Sequence, residues 1–121
     1  MNWNELITMA TDEVESTLAA LPAGLRERAV ALPITFEPIP NAALQEDGIT
    51  ADTLGLFTGA EFVDEETVPM PPQIILFLEN LWNLADGDES VFRAEVRTTL
   101  LHELGHYLGL NEQDLFERGL E

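Results

Sequence analysis

The segment from Val91 to Leu108 constrains the fold most, because its apolar and polar residues separate at the spacing of an α-helix. At about 100° per residue, apolar side chains gather on one side of such a helix and polar side chains on the other. The apolar face comprises Val96, Leu100, Leu101, Leu104, Tyr107 and Leu108, and the polar face comprises Glu95, Thr98, Thr99, His102 and His106. The pattern predicts a helix that Ser90 caps and that ends at Gly109, where a glycine suits the left-handed C-terminal position. Both histidines are expected to point away from the core.

A second helix is predicted at the N-terminus, from Asn2 to Leu21. Its apolar residues recur at three- and four-residue steps and share one face, which comprises Trp3, Leu6, Ile7, Ala10, Val14, Leu18 and Leu21. Asn2 and Glu5 resemble a capping box, and Trp3 is expected to be a packing anchor. The segment LPAGLRER then ends the helix, and a short helical turn is expected at residues 28–32.

The middle of the chain changes to short β-rich pieces punctuated by proline and glycine. ITFEPIP and TLGLFTGAEF are predicted strands, and NAALQEDGITAD between them is a predicted polar loop. The apolar run Ile74–Leu78 predicts a third strand, and the two prolines before it are compatible with a sheet edge. NLADGDES is a predicted loop before the last helix.

Length and composition bound the remaining possibilities. The chain has 121 residues, 45% of them hydrophobic, which suits a single domain over residues 1–121. No apolar run is long enough to span a bilayer, and the N-terminal segment does not resemble a signal peptide, so a soluble, cytoplasmic protein without membrane contact is expected. The formal charge of −18 repels phosphate backbones and argues against nucleic-acid partners. Because the chain has no cysteine, any metal must be bound through nitrogen and oxygen.

The segment HELGH at 102–106 is the strongest functional signal. One helical turn places His102 and His106 side by side, where both imidazoles can reach one ion at about 2.0 to 2.1 Å. Glu103 projects from the flank of the same turn, beside the metal, where it would reach a metal-bound water without ligating. This arrangement would arise about twice in a thousand shuffled sequences of the same composition. The hypothesis of a plain acidic helical domain whose histidines match by coincidence is therefore the least favoured.

A catalytic zinc site needs a third protein ligand besides the two histidines. Gly109 can reverse the chain after the helix, and LNEQD then supplies two carboxylates that could fold back, Glu112 and Asp114. We favour Glu112, with Asp114 as the alternative.

At these residues the chain resembles the zincin metallopeptidases. HELGHYLGLNE matches HExxHxxGxx followed by an acidic residue, and metzincins have a third histidine at the position of Glu112. More closely, the chain resembles the small bacterial family of minimal zincin-like metallopeptidase domains. LP at 21–22, LGLFTG at 54–59, PQIILF at 72–77 and TTLLHELGHYLGL at 98–110 fall in the order expected for that family.

The resemblance implies an α+β fold in which a short mixed sheet packs against the N-terminal helix and the metal-bearing helix. It also implies Zn²⁺ held by His102, His106 and a carboxylate. The chain departs from the family pattern at Glu112, where aspartate is usual. It also lacks a Met-turn, because every methionine precedes the metal-bearing helix.

The leading hypothesis is therefore a zinc-dependent peptidase that hydrolyses peptides or proteins, with Glu103 as the general base. The alternative is a zinc-binding or protein-interaction module that keeps the site without turnover. Further candidates are the strand Gln73–Leu78, which could pair with an extended substrate, and Tyr107, which could stabilise an oxyanion. Glu95 and Thr98, on the face of the histidines, are expected to line the cleft.

Overall fold

The structure of the protein is a computed structural model that describes residues 1–58 and 72–108. Within these residues, five helices and a three-stranded sheet form an α+β fold, as predicted. The helices are α1 (Trp3–Ala19), α2 (Ala23–Ala29), α3 (Ala42–Glu46), α4 (Leu78–Leu84) and α5 (Glu89–Leu108). The strands are β1 (Ile34–Glu37), β2 (Gly55–Thr58) and β3 (Gln73–Phe77).

The sheet has the order β1-β3-β2, so β3 is its central strand. β3 pairs in parallel with β1, where Ile34 lies opposite Ile74, and antiparallel with β2, where Gly55 lies opposite Leu76. A position for β3 at the sheet edge is therefore wrong, and the strand Gln73–Leu78 has no open side on which a substrate could pair. Pro72 precedes the strand, so it takes no hydrogen bond from it, and Ile74 and Leu76 on one face of β3 are fully buried.

Helices α1 and α5 pack against each other, and α5 also lies against β2 and β3. The predicted apolar face of α5 is confirmed: Val96, Leu100 and Leu104 are at most 2% exposed. Burial of such a side chain contributes roughly 1.5–3 kcal/mol. Trp3 packs against the same core as an anchor, as expected. One position of the predicted polar face differs, because Thr99 is buried beneath β2.

The predicted N-terminal cap of α1 is confirmed. Oδ1 of Asn2 accepts a hydrogen bond from the backbone N–H of Glu5 at 2.8 Å. The reciprocal bond differs from that of a capping box, because the Asn2 side-chain amide donates to the Glu5 carboxylate at 3.0 Å.

The cap of α5 is Asp88, and the prediction of Ser90 as the cap is wrong. Oδ1 of Asp88 accepts from the backbone N–H groups of Ser90 and Val91 and from the Ser90 hydroxyl, at 2.8 to 3.1 Å. Aspartate suits this position because its carboxylate accepts from N–H groups that have no helical partner. These bonds, the one from the Ser90 hydroxyl most of all, lower the pKa of Asp88.

Three short helices depart from the sequence-based expectations. α2 begins at Ala23 directly after Pro22, rather than at residue 28, because proline is well tolerated at the start of a helix. α3 lies inside the predicted polar loop, where Asn41 caps it. α4 follows β3 without a break, so Leu78 belongs to a helix rather than to the strand. In residues 1–58 and 72–108, no helix has the length and apolar character to cross a membrane.

Candidate metal centre

α5 presents both histidines on one side, one helical turn apart. The ring centroids of His102 and His106 are 4.8 Å apart, and the ring planes are inclined by 55°. Both residues are exposed, with 48% of the His102 side chain accessible. Their rings therefore lie together outside the core, as the helical pattern predicts.

Glu103 occupies a different environment, since only 8% of the residue is exposed. Its Oε2 lies 4.0 Å from Nε2 of His102, so this oxygen faces the imidazole pair. Its Oε1 accepts a hydrogen bond of 3.0 Å from the backbone N–H of Phe57 in β2. A buried carboxylate is costly unless its oxygens are hydrogen-bonded, and the strand supplies that bond. The result is a carboxylate with one oxygen fixed by backbone and the other turned toward the histidines.

Among the described residues, no strand pairs with the outer edge of β2, and this edge faces the site. The Leu54 carbonyl accepts from the Phe77 N–H, so the backbone groups of Leu54 point toward β3. Because backbone groups alternate along an antiparallel strand, those of Gly55 and Phe57 point to the opposite edge. The Phe57 N–H therefore points away from β3, and it donates its hydrogen bond to Glu103 on that side.

Gly55 lets β2 approach α5 closely enough for this bond. A Cβ atom at this position would lie 2.5 Å from Cγ2 of Thr99, well inside van der Waals contact. Two residues along the strand, the Phe57 ring packs on Tyr107 with centroids 5.8 Å apart. The helical pattern alone could not reveal these contacts, although the LGLFTG segment marks the strand that makes them.

A pocket of about 340 Å³ adjoins His102. α5 contributes Glu95, Thr98, Thr99, His102 and Glu103 to its walls. The opposite wall is Gly55, the first residue of β2, and Leu54 directly before it. Glu95 and Thr98 therefore line a cleft beside His102, as predicted. Thr99, Leu54 and Gly55 were not among the predicted lining residues, because they depend on how β2 crosses the helix.

The model of the family described as "Zincin-like metallopeptidase" matches residues 29–120, which is most of the chain. The chain belongs to the zincin-like metallopeptidase family. The match covers the strands, the pocket and α5 of this zincin-like chain, and it confirms the resemblance that the HExxH segment carries. No curated protein matches the sequence.

The donor set of the zincin-like site fits Zn²⁺. Two neutral imidazoles from one helix are typical of catalytic zinc, and the absence of cysteine leaves nitrogen and oxygen as ligands. Within residues 1–58 and 72–108, no third His, Asp or Glu joins the pair as a metal-binding group. Glu112 and Asp114 lie outside the described residues, as does Gly109, so the third ligand stays a prediction.

Tyr107 lies on the core side of α5, half-buried against the Phe57 ring. Its predicted side of the helix is confirmed. A role for its hydroxyl at an oxyanion stays a prediction.

Proposed function

We propose that this zincin-like domain is a zinc-dependent peptidase with Glu103 as its general base. The observation that carries the proposal is the placement of the Glu103 carboxylate, with Oε2 4.0 Å from Nε2 of His102 and Oε1 bonded to Phe57. A site that only bound metal would not need a general base, and Glu103 has one oxygen left to act as one. This argument favours catalysis over a non-catalytic zinc-binding module.

His102 and His106 would hold the metal, with Glu112 as the proposed third ligand. Zn²⁺, when bound, would lower the pKa of a coordinated water to about 7 and polarise the carbonyl of the scissile bond. Both imidazoles are exposed, so a substrate from outside the domain would be able to reach a metal that they hold.

Glu103 would move the proton. Oε2 is the atom that takes a proton from the attacking water, because Oε1 is occupied by the Phe57 N–H. The same oxygen would then give the proton to the nitrogen of the leaving amine. The backbone bond prevents the carboxylate from rotating away between the two transfers.

The outer edge of β2, which pairs with no strand in residues 1–58 and 72–108, is the proposed docking edge for an extended peptide, in place of β3. The outward backbone groups of Gly55 run alongside the pocket that ends at His102 and Glu103. An extended chain that hydrogen-bonds to a strand edge is a recurring mode of peptide recognition. The peptide bond to be cut would then lie beside the imidazoles.

Zinc analysis and peptidase assays with three variants test this proposal. His102→Ala is expected to lose stoichiometric zinc. Glu103→Gln keeps an acceptor for Phe57 and is expected to retain zinc while losing at least a hundredfold in kcat, within the usual contribution of about 10²–10⁴ for proton transfer. Glu15→Gln, an exposed carboxylate on α1, serves as the matched control and is expected to behave as the wild type.

Two results would contradict the proposal. The absence of bound zinc after zinc supplementation would remove the metal site. Zinc bound by His102 and His106 without cleavage of any unstructured peptide would leave the non-catalytic zinc-binding module as the function.

A further inference from the structure

The pocket beside His102 has room for a substrate side chain. Its volume is about 340 Å³, and a water molecule in the liquid occupies only about 30 Å³. Along α5 its wall runs from Glu95 to His102, which corresponds to roughly 10 Å at 1.5 Å rise per residue. A long side chain entering beside the histidines would therefore extend toward Glu95.

The charges that line the pocket favour a cation. Glu103 has one oxygen bonded to Phe57 and the other facing His102, so its carboxylate is committed to the metal centre. Glu95 is the second carboxylate of the wall, is half-buried, and forms no ion pair with another residue in the described part of the chain. Arg93 on the same helix is held by Asp12 at 2.8 Å and does not line this pocket.

The remaining walls suit a side chain that has an apolar stem and a charged head. Leu54 and Gly55 offer apolar surface on the β2 side, against which a lysine or arginine stem can pack. Thr98 and Thr99 place hydroxyl-bearing side chains along the helix side, where hydroxyl oxygens can accept hydrogen bonds from an ammonium or guanidinium group. An acidic side chain would meet Glu95 and a chain whose formal charge is −18.

From this geometry we propose that the pocket is a specificity site that binds the lysine or arginine side chain of a peptide substrate, with Glu95 as the residue that selects the charge. The proposal rests on the peptidase function and narrows its substrates to basic peptides. Glu95 contacts only the side chain of the substrate. Its substitution therefore changes the choice of substrate and leaves the zinc site intact.

Matched peptides that differ at one position next to the scissile bond test the specificity. Peptides with arginine, lysine, norleucine or glutamate are compared on the zinc-loaded wild type, on Glu95→Gln and Glu95→Lys, and on the control Glu15→Gln. The expected kcat/KM for arginine or lysine exceeds that for norleucine at least tenfold in the wild type and in Glu15→Gln. Glu95→Gln is expected to bring this ratio close to one, and Glu95→Lys to favour glutamate.

A binding measurement gives a readout that does not depend on turnover. Nα-acetyl-arginine amide and Nα-acetyl-norleucine amide are titrated into the full chain while the backbone amide signals of Leu54, Thr98 and Thr99 are followed by NMR. Only the arginine derivative is expected to shift these signals at millimolar concentration, and Glu95→Gln is expected to abolish the shift.

The outcomes separate the two proposals. Peptide cleavage without a basic preference, or a preference that survives in Glu95→Gln, overturns the specificity site and leaves the peptidase function standing. If no peptide is cleaved by the zinc-loaded protein, the peptidase function fails. The titration then decides whether the pocket binds a cation: shifts that require Glu95 support the site, and their absence overturns it.

Discussion

Replacement of Gly55 by alanine should uncouple β2 from the metal-bearing helix. The new Cβ would lie 2.5 Å from Cγ2 of Thr99, whereas carbon atoms in favourable contact are about 3.5–4.0 Å apart. Thr99 is buried and β-branched on a helix, so its methyl group has few other rotamers to adopt. The strand must therefore move away from α5 by about 1 Å.

A displacement of this size matters because it acts on the hydrogen bond that holds the general base. The distance from the Phe57 nitrogen to Oε1 of Glu103 is 3.0 Å. A retreat of about 1 Å would take it beyond the usual range of about 2.7–3.2 Å. Misplacement of a catalytic group by about 1 Å can lower the rate a hundredfold, so a comparable fall in kcat/KM is expected. The other neighbours of the added Cβ, Glu103 Cγ and Leu76 Cδ2, are both 3.4 Å away and can adjust slightly.

Peptidase kinetics and the NMR signal of the Phe57 amide measure the effect together. Gly24→Ala is the matched control, because no atom beyond its chain neighbours and the backbone of its own helix lies within 4 Å of the Cβ that would be added there. Thr99→Ala removes the clashing methyl group, so the double variant Gly55→Ala/Thr99→Ala should recover most of the activity and the wild-type Phe57 signal. If Gly55→Ala keeps the activity and Phe57 signal of the Gly24→Ala control, or if the double variant is no better than Gly55→Ala, the proposed role of the close approach is refuted.

Two further predictions follow from the described contacts, and a third concerns the predicted third metal ligand. Phe57→Pro removes the N–H that donates a hydrogen bond to Glu103 and breaks no hydrogen bond to β3. At equal zinc content its kcat should be at least tenfold below that of the control Phe57→Leu. Equal rates in the two variants would contradict the role of Phe57 in positioning Glu103. Hydrogen bonds from the Ser90 hydroxyl and the Val91 N–H lower the pKa of Asp88 from its ordinary value of 3.8. The ionised carboxylate therefore stabilises the fold above pH 3.8, and this contribution is lost as the pH falls through the lowered pKa of the folded state. The stability of the wild type relative to Asp88→Asn, measured by denaturant unfolding, should therefore shrink only below pH 3.8, and a constant difference would contradict the cap. Zinc affinity should fall in Glu112→Ala and persist in Asp114→Ala, and calorimetric titration that gives the reverse would make Asp114 the third ligand.

The features that the sequence predicts best are those that depend on the local spacing of apolar and polar residues. The helical pattern places His102 and His106 on the outer side of α5 and Val96 and Leu100 in the core, because a residue's side of a helix depends only on its spacing. Residue preference does not decide the cap of α5, because aspartate and serine are both favoured there, and the cap is Asp88, two residues before the predicted Ser90.

The strand arrangement and the fixation of the base depend on contacts between distant residues. The apolar run at β3 indicates a buried strand. Its central place in the sheet depends on pairing with β1 on one side and β2 on the other. The bond between Phe57 and Glu103 joins positions 46 residues apart and needs a glycine at 55 to form. No periodic pattern in the sequence records such a contact.

The most direct measurement is a crystal structure of the zinc-loaded protein with anomalous diffraction at the zinc edge. We expect one zinc ion bound by imidazole nitrogens of His102 and His106 at about 2.0–2.1 Å, with Glu103 beside it and outside its ligand shell. Zinc bound elsewhere in the crystal, or ligated directly by Glu103 in place of one histidine, would contradict the proposed site and the catalytic role of that carboxylate.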